Sequence, residues 1–440
     1  MREAMPRTEH PHTSADTAST DTDTARTDSK RREQILRAAA ELFESSGYAA
    51  ALLKDVADAS GILPGSLYHH FDSKESIAVE LLESYHRDLA EIAELAPVPL
   101  EITSKDVAAE RITEFATRIA TCALAHRAAL QLSIYEPHAG ASAHLVRLAK
   151  QRPRLIDDAM LALLIAAREV GWFCAEVELA DLSEQLCETM LHCGLSVLHR
   201  ETSAERVAPV LCRLLFEGLA SEPPGDTALD ESAAMRAARK TIDTWSQQDG
   251  DEQRGDSAKS TLVKSVARAE FARRGYEATT MRDIASAAQL GAGSVYRAVP
   301  SKKALLDSIM GTFYAELSRA YRAVLATDST PITKLDALTW INLSALDRFN
   351  EEFEIQRAWF RTSPPDSDLF TVLRERARQV RTLVEDGQRT GDIRVDGVPI
   401  SRLSACVRDL IWMPPSLVAR VGKQAALTHA RATLLRGAAV

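Results

Sequence analysis

Apolar residues in this chain recur at the three- and four-residue spacing of helices almost everywhere, and strand-like alternation is scarce. Ile35, Ala39, Leu42 and Phe43 share one helical face, and Gly47 follows where a left-handed residue would end the helix. A short second helix carries Val56 and Ala57, Ser60-Gly61-Ile62 makes a turn, and a short third helix runs through Tyr68. The series then returns. Val263, Ala267, Glu270 and Phe271 take the first face, with one apolar site lost to a charge, followed by Gly275, Ile284, Ala285, the turn Ala288-Gln289-Leu290, and Tyr296. Arg31–Ile77 aligns on Lys259–Leu305 at one constant offset without a gap, placing Asp55 on Asp283, Gly65 on Gly293 and Lys74 on Lys302. A unit this long, occurring twice, reads as two related domains rather than a solenoid. Two short helices joined by a tight turn and braced by a preceding helix make a helix-turn-helix head.

The rest of the pattern is also helical. Between the heads it predicts helices over Ser76–Leu95 (N-capped by Ser73), Asp106–Ile134, Arg154–Trp172, Leu179–His199 and Ala204–Leu219. Ser221-Glu222-Pro223-Pro224-Gly225 is a stop, Leu229–Trp245 is one more amphipathic stretch, and Gln247–Ser257 reads as polar linker. After the second head come Leu306–Leu325, Pro331–Phe349, Phe353–Phe360, Leu369–Thr390, Ile400–Trp412 and Gly422–Leu435, with Pro414-Pro415 breaking the last two apart. Residues 1–29, rich in Thr, Asp, Ser and Ala, read as a disordered tail. The expected division is tail 1–29, first head 30–77, first helical domain 78–220, linker 221–257, second head 258–305 and second helical domain 306–440. The fold class is all-α.

The series F-x-x-x-G-Y, D-V/I-A, G-S-x-Y and S-K, present in both heads, resembles the DNA-binding region of the TetR family of transcriptional regulators. The first head also keeps that family's Y-x-x-F as Tyr68-His69-His70-Phe71. The resemblance implies that Leu179–His199 and Ala204–Leu219, and the later pair Ile400–Trp412 and Gly422–Leu435, are dimerisation helices that build a four-helix bundle. It also implies a Thr at the start of the second helix, capping it and meeting a phosphate. The second head has Thr279 and Thr280 there, whereas the first has Ala51 and Leu52. The second head in turn has Val299 and Pro300 for Phe71 and Asp72, a looser packing under its third helix.

Recognition of duplex DNA needs a helix whose leading residues reach base edges while neighbours hold phosphates. Leu63, Pro64, Gly65 and Ser66 form that leading turn in the first head, with Pro64 suited to a first helical position. Ala292, Gly293 and Ser294 form it in the second. The two glycines would let backbone approach DNA closely. By the family resemblance Tyr68 and Tyr296 fit phosphates; Lys74 and Lys302 suit them by charge and position. His69 and Arg297 differ between the heads, and an arginine there could take guanine by two hydrogen bonds. The bland alternative is that these Gly and Ser residues are turn and cap residues and that the tyrosines simply pack.

Charge separates the heads further. Over 30–76 six basic side chains meet seven acidic ones, a net of −1; over 258–304 nine meet three, a net of +6. The second head is thus expected to supply more of the salt-dependent attraction to phosphates. The whole chain, 440 residues at net −9, does not suit indiscriminate coating of nucleic acid. No apolar run approaches membrane-spanning length and no secretion signal is visible, so a cytoplasmic protein without a membrane partner is expected.

The family resemblance also implies an effector held among the middle helices. Phe115, Ile119, Tyr135, Leu164 and Trp172 are candidate lining residues in the first half, and Trp340, Phe349, Trp359, Phe360 and Trp412 in the second. Taken alone, each is better explained as core. Such a lining favours a small hydrophobic effector, lipid-like or an acyl thioester. Cys122, Cys174, Cys187, Cys193, Cys212 and Cys406 show no C-x-x-C spacing and read as small buried hydrophobes, so no metal or other cofactor is expected. Gly291-Ala292-Gly293 lacks the third glycine and the preceding strand of a dinucleotide fingerprint, and no nucleophile–base signature marks an enzyme. The expectation is a ligand-responsive repressor, monomeric because its halves pair internally, whose two unlike heads read an asymmetric operator in double-stranded DNA. The alternative is a sensor or protein-interaction module with one or both heads degenerate.

Overall fold

The computed structural model describes residues 17–48, 50–96, 101–133, 140–195, 203–255, 258–359 and 368–440, with side chains left aside at 17–27, 194–195, 246–255, 358–359 and 368–370. The first half runs through α1 (Thr17–Ser46), α2 (Leu53–Ala59), α3 (Pro64–Leu67), α4 (Lys74–Glu94), α5 (Lys105–Ala125), α6 (Arg127–Leu132), α7 (Ala143–Lys150), α8 (Arg154–Glu169), α9 (Leu179–Leu195) and α10 (Ala204–Glu217). A connection, α11 (Asp226–Asp230) and α12 (Ala233–Gly255), leads to the second half. That half comprises α13 (Ala258–Arg274), α14 (Met281–Ala287), α15 (Ala292–Ala298), α16 (Lys302–Leu325), α17 (Pro331–Arg348), α18 (Asn350–Trp359), α19 (Asp368–Thr390), α20 (Ile400–Leu410), α21 (Pro415–Val421), α22 (Lys423–Ala430) and a closing π-helical turn, Arg431–Leu435. The fold is all-α, and the only β pairing among the described residues is two isolated bridges.

Three expectations need correcting. Residues 17–29 of the expected tail are helical and continue into α1, because a helix once nucleated gains one hydrogen bond for each residue added; 1–16 lie outside the described residues. The long helix expected over 106–134 breaks at His126 (φ −109, ψ 34), whose Nε2 lies 2.6 Å from Asp88 Oδ2, and α6 turns away to pack on α1 and α4. The expected linker is helical through Gly255, and α12 lies along α16 and α17 with Trp245 buried against Phe349. The connection is pinned rather than slack. Arg431 reaches back to Asp336 on α17 (2.8 Å from both Nε and Nη2) and to Asp230 on α11 (3.0 Å).

The two halves dock through their last helices, with α10 against α20 and the π-helical turn. At the centre Gly218 (φ 77) ends α10 and Gly437 (φ 86) follows the turn, backbone on backbone. The hydrogen bonds around them come in reciprocal pairs. Leu219 N donates to Leu434 O (2.8 Å) as Ala438 N does to Leu215 O (2.9 Å), and Ala220 N to Leu435 O (3.1 Å) as Ala439 N to Phe216 O (2.8 Å). One layer out, Arg394 N donates to Leu219 O (3.3 Å) and Cys174 N to Ala438 O (3.0 Å), then Ser221 N to Asp392 O (2.9 Å) and Val440 N to Trp172 O (2.8 Å). Each half gives what it receives, as in an isologous dimer interface. Side chains flank this centre: Arg420 binds Asp181 and Glu184, and His429 Nε2 lies 2.9 Å from Gln185 Oε1.

Two outcomes follow. A Cβ on Gly218 would lie 2.5 Å from the carbonyl carbon of Arg436, and one on Gly437 2.5 Å from Phe216 O. Gly218→Ala or Gly437→Ala is therefore expected to cost about 3 kcal/mol or more through clash and strained φ; urea unfolding should show a lower midpoint and separate transitions for the two halves. His429, 7% exposed, has its pKa pushed down to about 4 by burial; Asp181 opposes this with a smaller upward pull, and Arg420 adds to it. The unfolded chain therefore binds the extra proton first, and stability is lost as pH falls from about 6.5 towards 4, by about 3 kcal/mol at the limit. In paired denaturation curves His429→Gln should remove that increment of acid sensitivity.

Candidate nucleic-acid interface

Each head is a small core with an outward turn. Ile35, Ala39, Phe43, Val56, Ala57, Leu67 and Phe71 are buried in the first, and Val263, Ala267, Phe271, Ile284, Ala285, Val295 and Val299 in the second. Gly47 (φ 79) and Gly275 (φ 86) end the first helices, their N–H groups bonded 3.0 Å to Phe43 O and Phe271 O. Tyr48 and Tyr276 then fold edge-on against Phe43 and Phe271, at 5.2 and 5.3 Å between ring centroids. Under the third helix the heads solve the same packing problem differently. Arg32 lies 4.2 Å over the Phe71 ring and pairs with Glu80, whereas the equivalent positions hold the smaller Ser260 and Val299.

The predicted leading residues face outward. Leu63 is 76% exposed, Tyr68 54% and Tyr296 55%; Pro64, Gly65, Ser66, His69, Ala292, Gly293 and Arg297 are exposed and Ser294 half-buried. A Cβ on Gly65 or Gly293 would meet nothing within 4 Å, and neither has positive φ, so neither packing nor backbone conformation demands glycine there. Arg297 Nη2 donates to Ser294 Oγ at 3.3 Å, and α15 extends to Ala298 whereas α3 stops at Leu67.

Other predicted residues turn inward. Thr279 is fully buried, its hydroxyl donating to Gly275 O at 2.8 Å; it closes the loop after α13 and is withdrawn from any phosphate, as Ala51 is in the first head. Thr280 is the cap: Asp283 N donates to its Oγ1 (3.1 Å) and Thr280 N to Asp283 Oδ2 (2.8 Å). Leu52, in its place in the first head, makes no side-chain cap. Lys74 Nζ donates to Tyr48 O (2.7 Å) and Ala51 O (2.9 Å) and sits 4.5 Å from the Tyr48 ring centroid. Lys302 repeats this on Tyr276 O (2.9 Å), Thr279 O (3.0 Å) and the Tyr276 ring (4.3 Å). Burial lowers the pKa of both. These lysines satisfy carbonyls left by a chain reversing direction, so their expected phosphate contact gives way to a positioning part. Much of the second head's positive charge is likewise engaged: Arg268 with Glu351 and Glu352, Arg273 and Arg274 with Glu270, and Lys303 with Asp307. Arg282 and Arg297 are the exposed cations on its two motif helices.

The candidate effector linings form core. Phe115, Ile119 and Leu164 are fully buried. Trp172 packs on Phe173 and Phe216 where the halves meet, Phe349 on Trp245 and Phe313, and Trp412 stacks on Phe353. Trp340 is half-buried beside Lys423. Tyr135, Phe360 and the Trp359 side chain lie outside the described residues. A surface pocket opens instead between the second head and its body, lined by Ala272, Arg273, Leu346, Glu351, Phe353 and Pro415 among others. All six cysteines are unpaired, and all but Cys174 are buried.

Two helix-turn-helix heads on one polypeptide, joined through helical bodies with an internal two-fold, define a tandem helix-turn-helix protein. The profile of "Bacterial regulatory proteins, tetR family" matches this sequence at residues 35–81 and again at 265–309. Each head thus matches the DNA-binding region of that family, at two places in one chain. It is 54% identical over 61 residues to the HTH-type transcriptional repressor KstR2 of Rhodococcus jostii (strain RHA1), 14% of this chain and 30% of that one. Against UidR of Escherichia coli (strain K12), an HTH-type transcriptional regulator, it is 42% identical over 64 residues, 14% of this chain and 33% of that one. The match thus spans about a third or less of these relatives. The solved structure of the ketosteroid transcriptional regulator KstR2 of Mycobacterium tuberculosis aligns over 40% of this chain and 95% of its own, at 23% identity and TM-score 0.35.

The turn between the motif helices generates a prediction. Its left-handed residue is Gly61 (φ 65) in the first head and Gln289 (φ 55) in the second. Gln289→Gly should relieve about 1 kcal/mol of backbone strain, and Gly61→Gln should impose as much. Thermal melts of the two variants should move in opposite directions.

Proposed function

We propose that the chain is a sequence-specific, DNA-binding transcriptional regulator, a ligand-responsive repressor whose two unlike heads read one asymmetric operator. The observation that carries this reading is the pair of outward-facing recognition turns hung on reciprocally bonded halves. Homodimeric readers place two identical helices on a near-palindrome, with half-sites about one helical turn (~34 Å) apart. Here an internal two-fold supplies the second head, and the turns differ: Leu63-Pro64-Gly65-Ser66 and His69 against Gly291-Ala292-Gly293-Ser294 and Arg297. Tyr68 and Tyr296 anchor to phosphate, and the exposed Thr280 cap offers the second head a further hydroxyl. Repression is adopted because the KstR2 relative is named a repressor.

The helical bodies are the effector-responsive part. The second head is tied to its body by Arg268 on Glu351 and Glu352 at the start of α18, the first by α6 packed on α1. An effector that shifts α18 tilts the second head about the fixed centre, and a coupling of ~1–3 kcal/mol loosens DNA several-fold to a hundredfold.

Selection of duplexes from a random pool by the full chain, followed by footprinting, tests this. A single site with unlike half-sites, protected by a species of one chain's mass, is the expected result. Arg297→Ala should cost ~1–3 kcal/mol and relax base preference in one half-site, and His69→Ala should change the other alone. A palindromic consensus sinks the reading, and so does affinity unmoved by both variants.

A further inference from the structure

The internal two-fold allows the bodies to be compared position by position. Helices α8 and α19 end at equivalent left-handed glycines, Gly171 (φ 77) and Gly391 (φ 83). Counting back from them without a gap, Ile156 of the first body falls on Arg376 of the second. Ile156 is fully buried core, and Arg376 is buried too, 6% exposed. The two bodies therefore differ at one interior place by a hydrocarbon in one and a guanidinium in the other.

Among the described residues no carboxylate answers Arg376. No Asp or Glu among the described residues forms an ion pair with it, and its Nε and Nη2 make no hydrogen bond. Its Cζ lies 5.6 Å from the Tyr314 ring centroid and 6.0 Å from that of Tyr321. Tyr321 is committed, donating from Oη to Asn342 Oδ1 at 2.9 Å, but the buried Tyr314 hydroxyl has no partner either. Burial pushes the guanidinium pKa down, and only the two tyrosines oppose it. A buried, unanswered cation is costly and persists where an anion completes it. The two orphaned nitrogens share one edge of the guanidinium plane, the edge that meets both oxygens of a carboxylate side by side. Helices α16, α17 and α19 pack together here, and the buried Phe313 and Leu317 flank Tyr314 along α16 while the buried Val380 lies one turn from Arg376 along α19. Such surroundings accept an anion only with an apolar remainder.

We propose that the second body, and not the first, is a receptor for a small carboxylic acid with an apolar tail. Its carboxylate is received on the Nε–Nη2 edge of Arg376, with the Tyr314 hydroxyl as third donor. This rests on the bodies being effector domains, and it narrows the effector to a free acid bound once per chain.

Titration of the full chain with sodium decanoate, followed by intrinsic tryptophan fluorescence and by calorimetry with no DNA present, tests it. Decanoate should bind saturably at one site per chain, at least tenfold tighter than 1-decanol, which has the tail without the charge. Decanoyl-coenzyme A, whose carboxyl is masked as a thioester, should not compete. Arg376→Met should lose decanoate binding at least tenfold while the unliganded variant melts no lower than the parent, since it removes a charge that lacks a partner. Should that variant not fold, Tyr314→Phe decides: a severalfold loss of decanoate affinity is expected. Absence of decanoate binding, equal binding by Arg376→Met, or unchanged affinity in Tyr314→Phe overturns the proposal. None of these results touches the operator reading, which footprinting tests separately.

Discussion

Two glycines pressed together hold this molecule in its working shape. Gly218 and Gly437 cross where no side chain fits, and their closeness lets four pairs of backbone hydrogen bonds run reciprocally between the halves. Backbone groups left without partners at such depth would each carry a desolvation cost, so the pairing is a condition on the whole interface. Helix α10 and the π-helical turn must each end in a left-handed residue at the same place, and the two bodies must present the same edge. The outer bonds, from Cys174 and Arg394, extend the condition to the loops after α8 and α19. A chain that met its own copy this way would be a symmetric dimer; here the copy is covalently attached.

Attachment changes what the heads are free to do. In a homodimer every substitution appears twice, so both recognition turns are bound to be the same. On one chain each head drifts separately while the interface keeps its symmetry. The hidden supports of the heads are retained in kind: a left-handed glycine after the first helix, a tyrosine against a phenylalanine, and a lysine stapling the loop carbonyls. The rest has diverged in compensated pairs. Arg32 on Phe71 becomes Ser260 beside Val299, and the uncapped Leu52 becomes the capping box of Thr280 and Asp283. Divergence that keeps each head folded while altering its outward turn is the kind that changes recognition.

Much of this was legible in the sequence because its signals are local. The heads announce themselves by constant spacing, Gly47 and Gly275 by where they fall after an apolar face, and Ser73 by its place before α4, where it makes a capping box. What the sequence hid depends on direction or on distant partners. Lys74 and Lys302 read as outward cations, since nothing nearby in sequence shows that the carbonyls of Tyr48 and Tyr276 wait for their ammonium groups. Thr279 and Thr280 are adjacent and alike in composition, yet one is buried and the other exposed, a difference set by the turn between them. Helix α7 escaped notice because Ala143–Lys150 is short and bounded by loop residues. The extension of α12 through 247–255 was missed for another reason: its polar composition suits a linker, and packing on α16 and α17 decides for helix. Arg376 could not be singled out either, because one arginine among many in an amphipathic helix shows its burial only once α16 and α17 close over it.

The asymmetry of the bodies bears on how a single ligand could act on two heads. On the reading proposed above, the heads grip DNA together, and tethering makes the second contact nearly intramolecular, at an effective concentration far above that of free protein. Such an advantage depends on geometry and vanishes when both contacts cannot be made at once. A ligand in one body therefore has no need to disable either head. It has only to turn one of them away from the register of the other, and the centre at Gly218 and Gly437, rigid because it is closely packed backbone, forces the displacement to appear at the heads. Helix α18 is suitably placed to transmit it, packed against α16 and α17 of the second body and bound to the second head through Glu351, Glu352 and Arg268. On that reading one sensing body and one fixed body, rather than two sensing bodies, make a sufficient switch.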